Sequence, residues 1–208
     1  MAEDFRIAQP KQYQRLFLKD CIRPDGRAST GCRDVKLHVR TVRSALGSAM
    51  VCYGNTRVIA GIKGKLAEPT INNPSWGYLV PNVTLPSLCN TKYRPGAPSE
   101  RAVALSHRLA ALTTDMVDLS ELCITPGKVV WSLHLDVVCV CDDGNVWDAV
   151  VLAAVAALNT TLLPATDVQE ETGRVSVDLS RDSTPLPLKF LPVSVTLSGF
   201  YISVLFIL

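Results

Sequence analysis

The sequence predicts an α/β fold of the α+β type, with helices packed against a sheet. Three patterns carry that prediction. Residues 35–40 and 129–141 alternate between apolar and polar side chains with the period of two that marks a half-buried strand. Residues 99–117 place Leu105, Leu109, Leu112 and Met116 on one stripe of a helix. Residues 146–158 are apolar nearly all round, which requires a helix wedged against a sheet. A chain of 208 residues is read as one domain, 1–208, around one sizeable core.

In chain order, an amphipathic helix is expected over residues 10–21. Tyr13, Leu16, Phe17 and Cys21 recur there three and four apart, and Pro10 suits a first turn. Arg23-Pro24-Asp25-Gly26-Arg27 ends it in a turn with two guanidinium groups flanking one carboxylate. The strand at 35–40 has one apolar and one basic face. Residues 49–53 and 57–62 read as a hairpin across Gly54-Asn55-Thr56. Six prolines between Glu68 and Pro98 predict an extended loop region. The helix at 99–117 has Ser99 to cap it and Glu100 in its first turn.

Thr125-Pro126-Gly127-Lys128 turns into the strand at 129–141, which puts Trp131, Leu133, Leu135, Val137 and Cys139 on one face. Asp142-Asp143-Gly144-Asn145 breaks that strand, and Asn145 and Asp148 have the spacing of a capping box for the buried helix. A further strand is expected at 174–179. Val193-Ser194-Val195-Thr196-Leu197 reads as another, closed by a Ser198-Gly199 turn. Residues 190–208 are apolar, but Pro192, Ser194, Thr196, Ser198 and Gly199 interrupt them too often for a membrane span. As an unpaired edge the run 201–208 would invite aggregation.

A formal charge of +2 excludes attraction to nucleic acid by the field of the whole molecule, so any RNA contact must come from a local patch. Hydrophobic residues reach 48% against 19% charged, an apolar share that points to surface covered by partners. The seven cysteines (Cys21, Cys32, Cys52, Cys89, Cys123, Cys139 and Cys141) are odd in number and lack paired metal spacing. With a polar Met1-Ala2-Glu3-Asp4 in place of a signal peptide, they predict a reducing compartment. Cys139-x-Cys141 reads as an apolar pair on one buried strand face. No metal or cofactor is expected: the sequence has no phosphate loop of the Walker or Rossmann type and no recognisable nucleophile motif, and His38, His107 and His134 are scattered.

Two groupings could carry chemistry. The first is Asp142-Asp143-Gly144-Asn145 at the start of a helix, where anions bind and an acid can supply protons or hold a metal. Its plainer reading is a helix cap. The second is Lys92, Arg94, Arg101 and Arg108, around a loop and the first turns of the 99–117 helix. These can grip phosphates, with Tyr93 available for stacking, or simply form a solvated face.

Several motifs in order resemble the RNase PH family. They are Arg23-Pro24-Asp25-Gly26-Arg27, then Gly47-Ser48-Ala49-Met50-Val51 running into Gly54-Asn55-Thr56-Arg57-Val58-Ile59-Ala60-Gly61. Gly77-Tyr78-Leu79-Val80-Pro81-Asn82-Val83, Tyr93-Arg94-Pro95-Gly96-Ala97-Pro98-Ser99-Glu100, Leu122-Cys123-Ile124-Thr125-Pro126-Gly127-Lys128 and Asp143-Gly144-Asn145-Val146-Trp147-Asp148-Ala149 are similar to one branch, the non-catalytic ring subunits of the eukaryotic RNA exosome. The likeness runs from about residue 5 to about residue 197, with a core 3′-exoribonuclease-like part at about 30–165 and a divergent apolar tail at 190–208.

The resemblance implies a mixed sheet with helices against it. It implies a hetero-oligomeric ring with other RNase PH-like subunits, cap subunits with RNA-binding domains, an associated nuclease, and single-stranded RNA threaded through the channel. It places such a protein in the nucleus, nucleolus and cytoplasm, away from membranes, in rRNA maturation and mRNA turnover. Phosphorolytic members follow the acidic residue of the turn with Gly-Gly-Thr-Arg or a close variant. Asn145, Val146 and Trp147 stand at the matching positions, so the site at Asp143 is read as vestigial. Lys92, Arg94 and Arg101 match the region that lines the channel, and Arg23 and Arg27 are expected to brace the fold or an interface. Relatives continue past Val193 through more sheet and a C-terminal helix, so the change into an apolar run here implies a shortened form without that helix. The alternative function is a phosphate-dependent 3′-to-5′ exoribonuclease; a free-standing interaction module is a third reading.

Overall fold

The computed structural model describes residues 7–28, 31–168, 175–178, 182–200 and 203–206. They belong to two compact units, residues 35–194 and the two ends, 1–34 with 195–208.

The larger unit is built on a six-stranded sheet. β1 (Val35–Val39), β2 (Gly47–Tyr53), β3 (Thr56–Ala67), β6 (Val129–Cys141) and β4 (Tyr78–Thr84) lie side by side in that order, and β5 (Cys123–Thr125) pairs with the start of β6. β4 runs parallel to β6 and every other pair is antiparallel, so the sheet is mixed. The described residues form three α-helices, α1 (Pro10–Lys19), α2 (Glu100–Met116) and α3 (Val146–Asn159). α3 lies across β2, β3 and β6, and α2 packs beside β4.

Alternation decides the inner face. Val51, Val58, Ala60, Ile62, Leu133, Leu135 and Val137 are fully buried in the core, each valine, leucine and isoleucine contributing roughly 1.5–3 kcal/mol. Helix and sheet meet without slack at Gly47, where an added Cβ would stand 2.3 Å from Thr161 Oγ1 and 2.5 Å from the Ala157 carbonyl. Ser99 caps α2 by accepting from the Ala102 N–H at 3.2 Å. Thr113, bonded to the Leu109 carbonyl, is buried in α2 where Leu112 is only half-buried. The hairpin forms as expected, with Tyr53 opposite Thr56.

Three expectations are corrected. The proline-rich region holds a seven-residue strand, β4: it ends the sheet, so Pro81 needs no partner on its open side. β1 is not half-buried, because it is the other edge and lies largely beyond the helices; Val35, Leu37 and Val39 are exposed. Ser198 and Gly199 make no turn. They sit inside β11 (Leu197–Phe200), opposite Leu205 and Val204 of β12 (Ser203–Phe206).

The strand expected at 174–179 is β9 (Val175–Asp178), paired with β8 (Ala165–Val168); Arg174 and Leu179 lie outside the described residues. β7 (Leu162–Leu163) pairs with β10 (Thr184–Pro185). In the unit formed by the ends, α1 buries no residue and stacks Tyr13 edge-on against Phe17 at 5.0 Å. No helix among the described residues is long and apolar enough to cross a membrane.

Candidate functional site

The site lies where β6 ends and α3 begins. Asp142 leaves the sheet with its side chain 1% exposed. Its Oδ1 accepts the Gly144 N–H at 3.0 Å and its Oδ2 the Tyr93 hydroxyl at 2.8 Å, with Arg101 Nη1 3.6 Å away. Arg101 also donates to the Tyr93 oxygen at 3.1 Å. The loop is tied on through its backbone: the Asp142 N–H donates to the Cys89 carbonyl, and Asn90 Nδ2 to the Asp142 carbonyl. Thr56 at the start of β3 holds the turn from the other side, donating to the Gly144 carbonyl at 2.7 Å and accepting the Asp143 N–H at 3.1 Å.

This environment sets the protonation states. Burial raises the Asp142 carboxyl, but the Gly144 N–H, the Tyr93 hydroxyl and the charges of Arg101 and Lys92 outweigh it, leaving the acid below its usual range. Burial and the bond to Asp142 push the Tyr93 hydroxyl up to about 12. Burial also pushes the Cys139 thiol up to about 12. A register shift between Arg57 and Val58 sets Cys139 and Cys141 in different surroundings, the first fully buried and the second half-buried.

Asp143, the carboxylate singled out from the sequence, faces outward and accepts from Asn55 Nδ2 at 3.1 Å. Asn145 adopts the left-handed region (φ 52°). Its side chain makes no capping bond to the helix backbone and instead donates to Asp148 Oδ2 at 2.7 Å. Ser194 donates to the other oxygen of the same buried carboxylate. Val146 is buried and Trp147 packs against the core.

The four predicted cations are only partly gathered. Arg94 is exposed on a crevice of about 270 Å³ between the C-terminal end of β4 and the first turn of α2. Arg101 and Arg108 are two helical turns apart on α2. Arg101 is turned toward Asp142 and Tyr93, while Arg108 is exposed. The Lys92 backbone is fixed by Asn90 Oδ1. Tyr93 is not available for stacking: it is 8% exposed, with its hydroxyl on Asp142. Sequence reasoning missed Asp142 as the buried partner of Tyr93 and Arg101, because only the fold shows which of two adjacent aspartates turns inward. Arg23 and Arg27 both donate to the Gly31 carbonyl, and Arg27 pairs with Asp25 at 2.7 Å.

Residues 31–164 match the 3′ exoribonuclease family, domain 1. The chain is similar to exosome complex component rrp43 of Schizosaccharomyces pombe, 35% identical over 82% of this chain and 64% of that protein. It is also similar to exosome complex component Rrp42 of Thermococcus gammatolerans, 39% identical over 86% of this chain and 66% of the relative. It therefore spans just under two thirds of the length of these relatives. Among solved structures, a chain of the Archaeoglobus fulgidus exosome with RNA bound to the active site superposes with a TM-score of 0.80 at 33% identity, over 94% of this chain and 74% of that one. A chain of an archaeal exosome core gives 0.75 at 31% identity, over 99% and 76%.

Proposed function

Because the chain belongs to the 3′ exoribonuclease family, the RNase PH family, we propose that it serves as a ring subunit of an RNA exosome core without phosphorolytic chemistry of its own. In this role it pairs with other RNase PH-like subunits. It guides single-stranded RNA past cap subunits with RNA-binding domains toward a separate nuclease, in rRNA maturation and mRNA turnover in the nucleus, nucleolus and cytoplasm. The names of its relatives support the subunit part of this reading.

The turn after Asp143 carries the non-catalytic part. Attack by phosphate needs fixed donors around a group whose charge must be held. Here the Asn145 amide is bonded to Asp148 and Val146 is buried, so residues 144–147 aim no guanidinium or hydroxyl at Asp143. Arg94 and Arg108, exposed near the crevice and along α2, are the groups best placed to meet RNA phosphates.

The test is to incubate the chain, with an RNase PH-like partner, with single-stranded RNA and inorganic phosphate, and to follow nucleoside diphosphates by chromatography. Wild type and Asp143→Asn are expected to release equal amounts. Release that Asp143→Asn abolishes would establish the alternative, a phosphate-dependent 3′-to-5′ exoribonuclease. In the same complex, Arg94→Ala with Arg108→Ala should weaken RNA binding and lower its salt slope by about 1 per lost phosphate contact. An unchanged affinity would remove the guiding role.

A further inference from the structure

We infer that the outer face of the six-stranded sheet is a docking surface for a folded protein whose own surface carries an aliphatic strip bordered by aspartate and glutamate. This rests on the ring-subunit reading and names the surface that a neighbour meets.

α3 covers one face of the central strands and leaves the other open. On that open face the register aligns His38, Met50, Ile59, Val138 and Thr84 across five strands. The middle of this row is aliphatic: Met50 and Ile59 are half-exposed and Val138 is 38% exposed. Two residues along the strands on one side lies the row Lys36, Cys52, Arg57, and four residues away on the other lies Lys63 with His134 and Val80. Lys65 extends it on β3. Lys36, Arg57, Lys63 and Lys65 are exposed, and none has an ion-pair partner among the described residues. Asp136 is the one carboxylate on this face of β3, β6 and β4 among the described residues.

An aliphatic centre within a charged rim is how protein interfaces are laid out. Unpaired cations around it call for carboxylates opposite, which would steer the encounter and fix its register. Single-stranded nucleic acid asks for something else, aromatic rings interleaved with the cations. Among the described residues of β3, β6 and β4, the tyrosine on this face, Tyr78, lies three rows from the strip with its hydroxyl bonded to Thr70 and the Glu68 carbonyl, and no phenylalanine or tryptophan joins it. An aliphatic strip has no use for phosphate but is dehydrated usefully by another apolar surface.

The experiment co-expresses the full chain with each other RNase PH-fold subunit of the same organism's exosome. Complexes are read by size exclusion with light scattering, and affinity by titration at low and high salt. Wild type should form a one-to-one complex with one of them. Arg57→Glu with Lys63→Glu should weaken it at least about tenfold and reduce its salt dependence, and Ile59→Asp should weaken it at low and high salt alike. Arg94→Ala should leave the complex unchanged. The double charge reversal sits on exposed side chains, so its circular dichroism should match wild type and its result stands even if Ile59→Asp fails to fold. A complex that survives the charge reversal undiminished overturns the inference while the ring-subunit reading stands. A wild-type chain that pairs with no such subunit overturns both. If the charge reversal instead reduces binding to oligouridine and leaves protein complexes intact, the face belongs to RNA and the inference falls.

Discussion

Two donors, the Gly144 N–H and the Tyr93 hydroxyl, and the charge of Arg101 at 3.6 Å converge on the Asp142 carboxylate. Because they hold the acid below its usual range, the folded state releases this proton more readily than the unfolded chain does. The stability gained is therefore present above the unfolded value, about pH 4, and is lost as pH falls through the folded one. Asp142→Asn should lower stability at pH 7 by about 2 kcal/mol, and the gap to wild type in urea denaturation should close in acid. Tyr93 works at the other end. Its folded value is raised to about 12, so its contribution is intact below the unfolded value near 10 and disappears as pH rises from there to about 12. Absorbance titration of the phenols should show a late-titrating component, near pH 12, that Tyr93→Phe removes. A gap that persists unchanged in acid, or no late tyrosine, would mean that this triad is not coupled to folding.

At the scale of elements, the packing of α3 on β2 leaves no room at Gly47. Gly47→Ala should destabilise the fold by about 1–3 kcal/mol, read as a lower urea midpoint with an unchanged slope; an unaltered midpoint would show that the helix end gives way freely. Elements whose pattern reflects local chemistry were legible beforehand. Ser99 announced α2, period two announced β6, and the all-round apolar run announced α3. β4 was hidden because its prolines read as loop, and only its place at the sheet's edge makes Pro81 harmless. The Ser198-Gly199 dipeptide reads as a turn by composition, but pairing with β12 draws both residues into a strand. The site was half legible for a related reason. Asp143 and the cations stood out by type, whereas the inward turn of Asp142 and the burial of Tyr93 depend on contacts between residues some fifty positions apart.

Across the whole molecule, stability is concentrated where both edges of a strand are occupied. β3 lies between β2 and β6, and β6 between β3 and β4, whereas β1 and β4 each have one neighbour. Amide hydrogen exchange should find the slowest protons at the centres of β3 and β6 and much faster exchange along β1 and α1, the latter burying nothing. Equal protection across the sheet would contradict this gradient. The strand order also dictates the sequence of events during synthesis. The β2–β3 hairpin is local and closes within about 1–10 μs, but β6 must pair Ala67 with Val130 and lie parallel to β4. Such distant contacts repay the entropy of loop closure late. The central strand is thus the last of these to leave the ribosome, and a nascent chain waiting for it displays two open backbone ladders. That interval, before residue 141 emerges, is when aggregation competes hardest with folding.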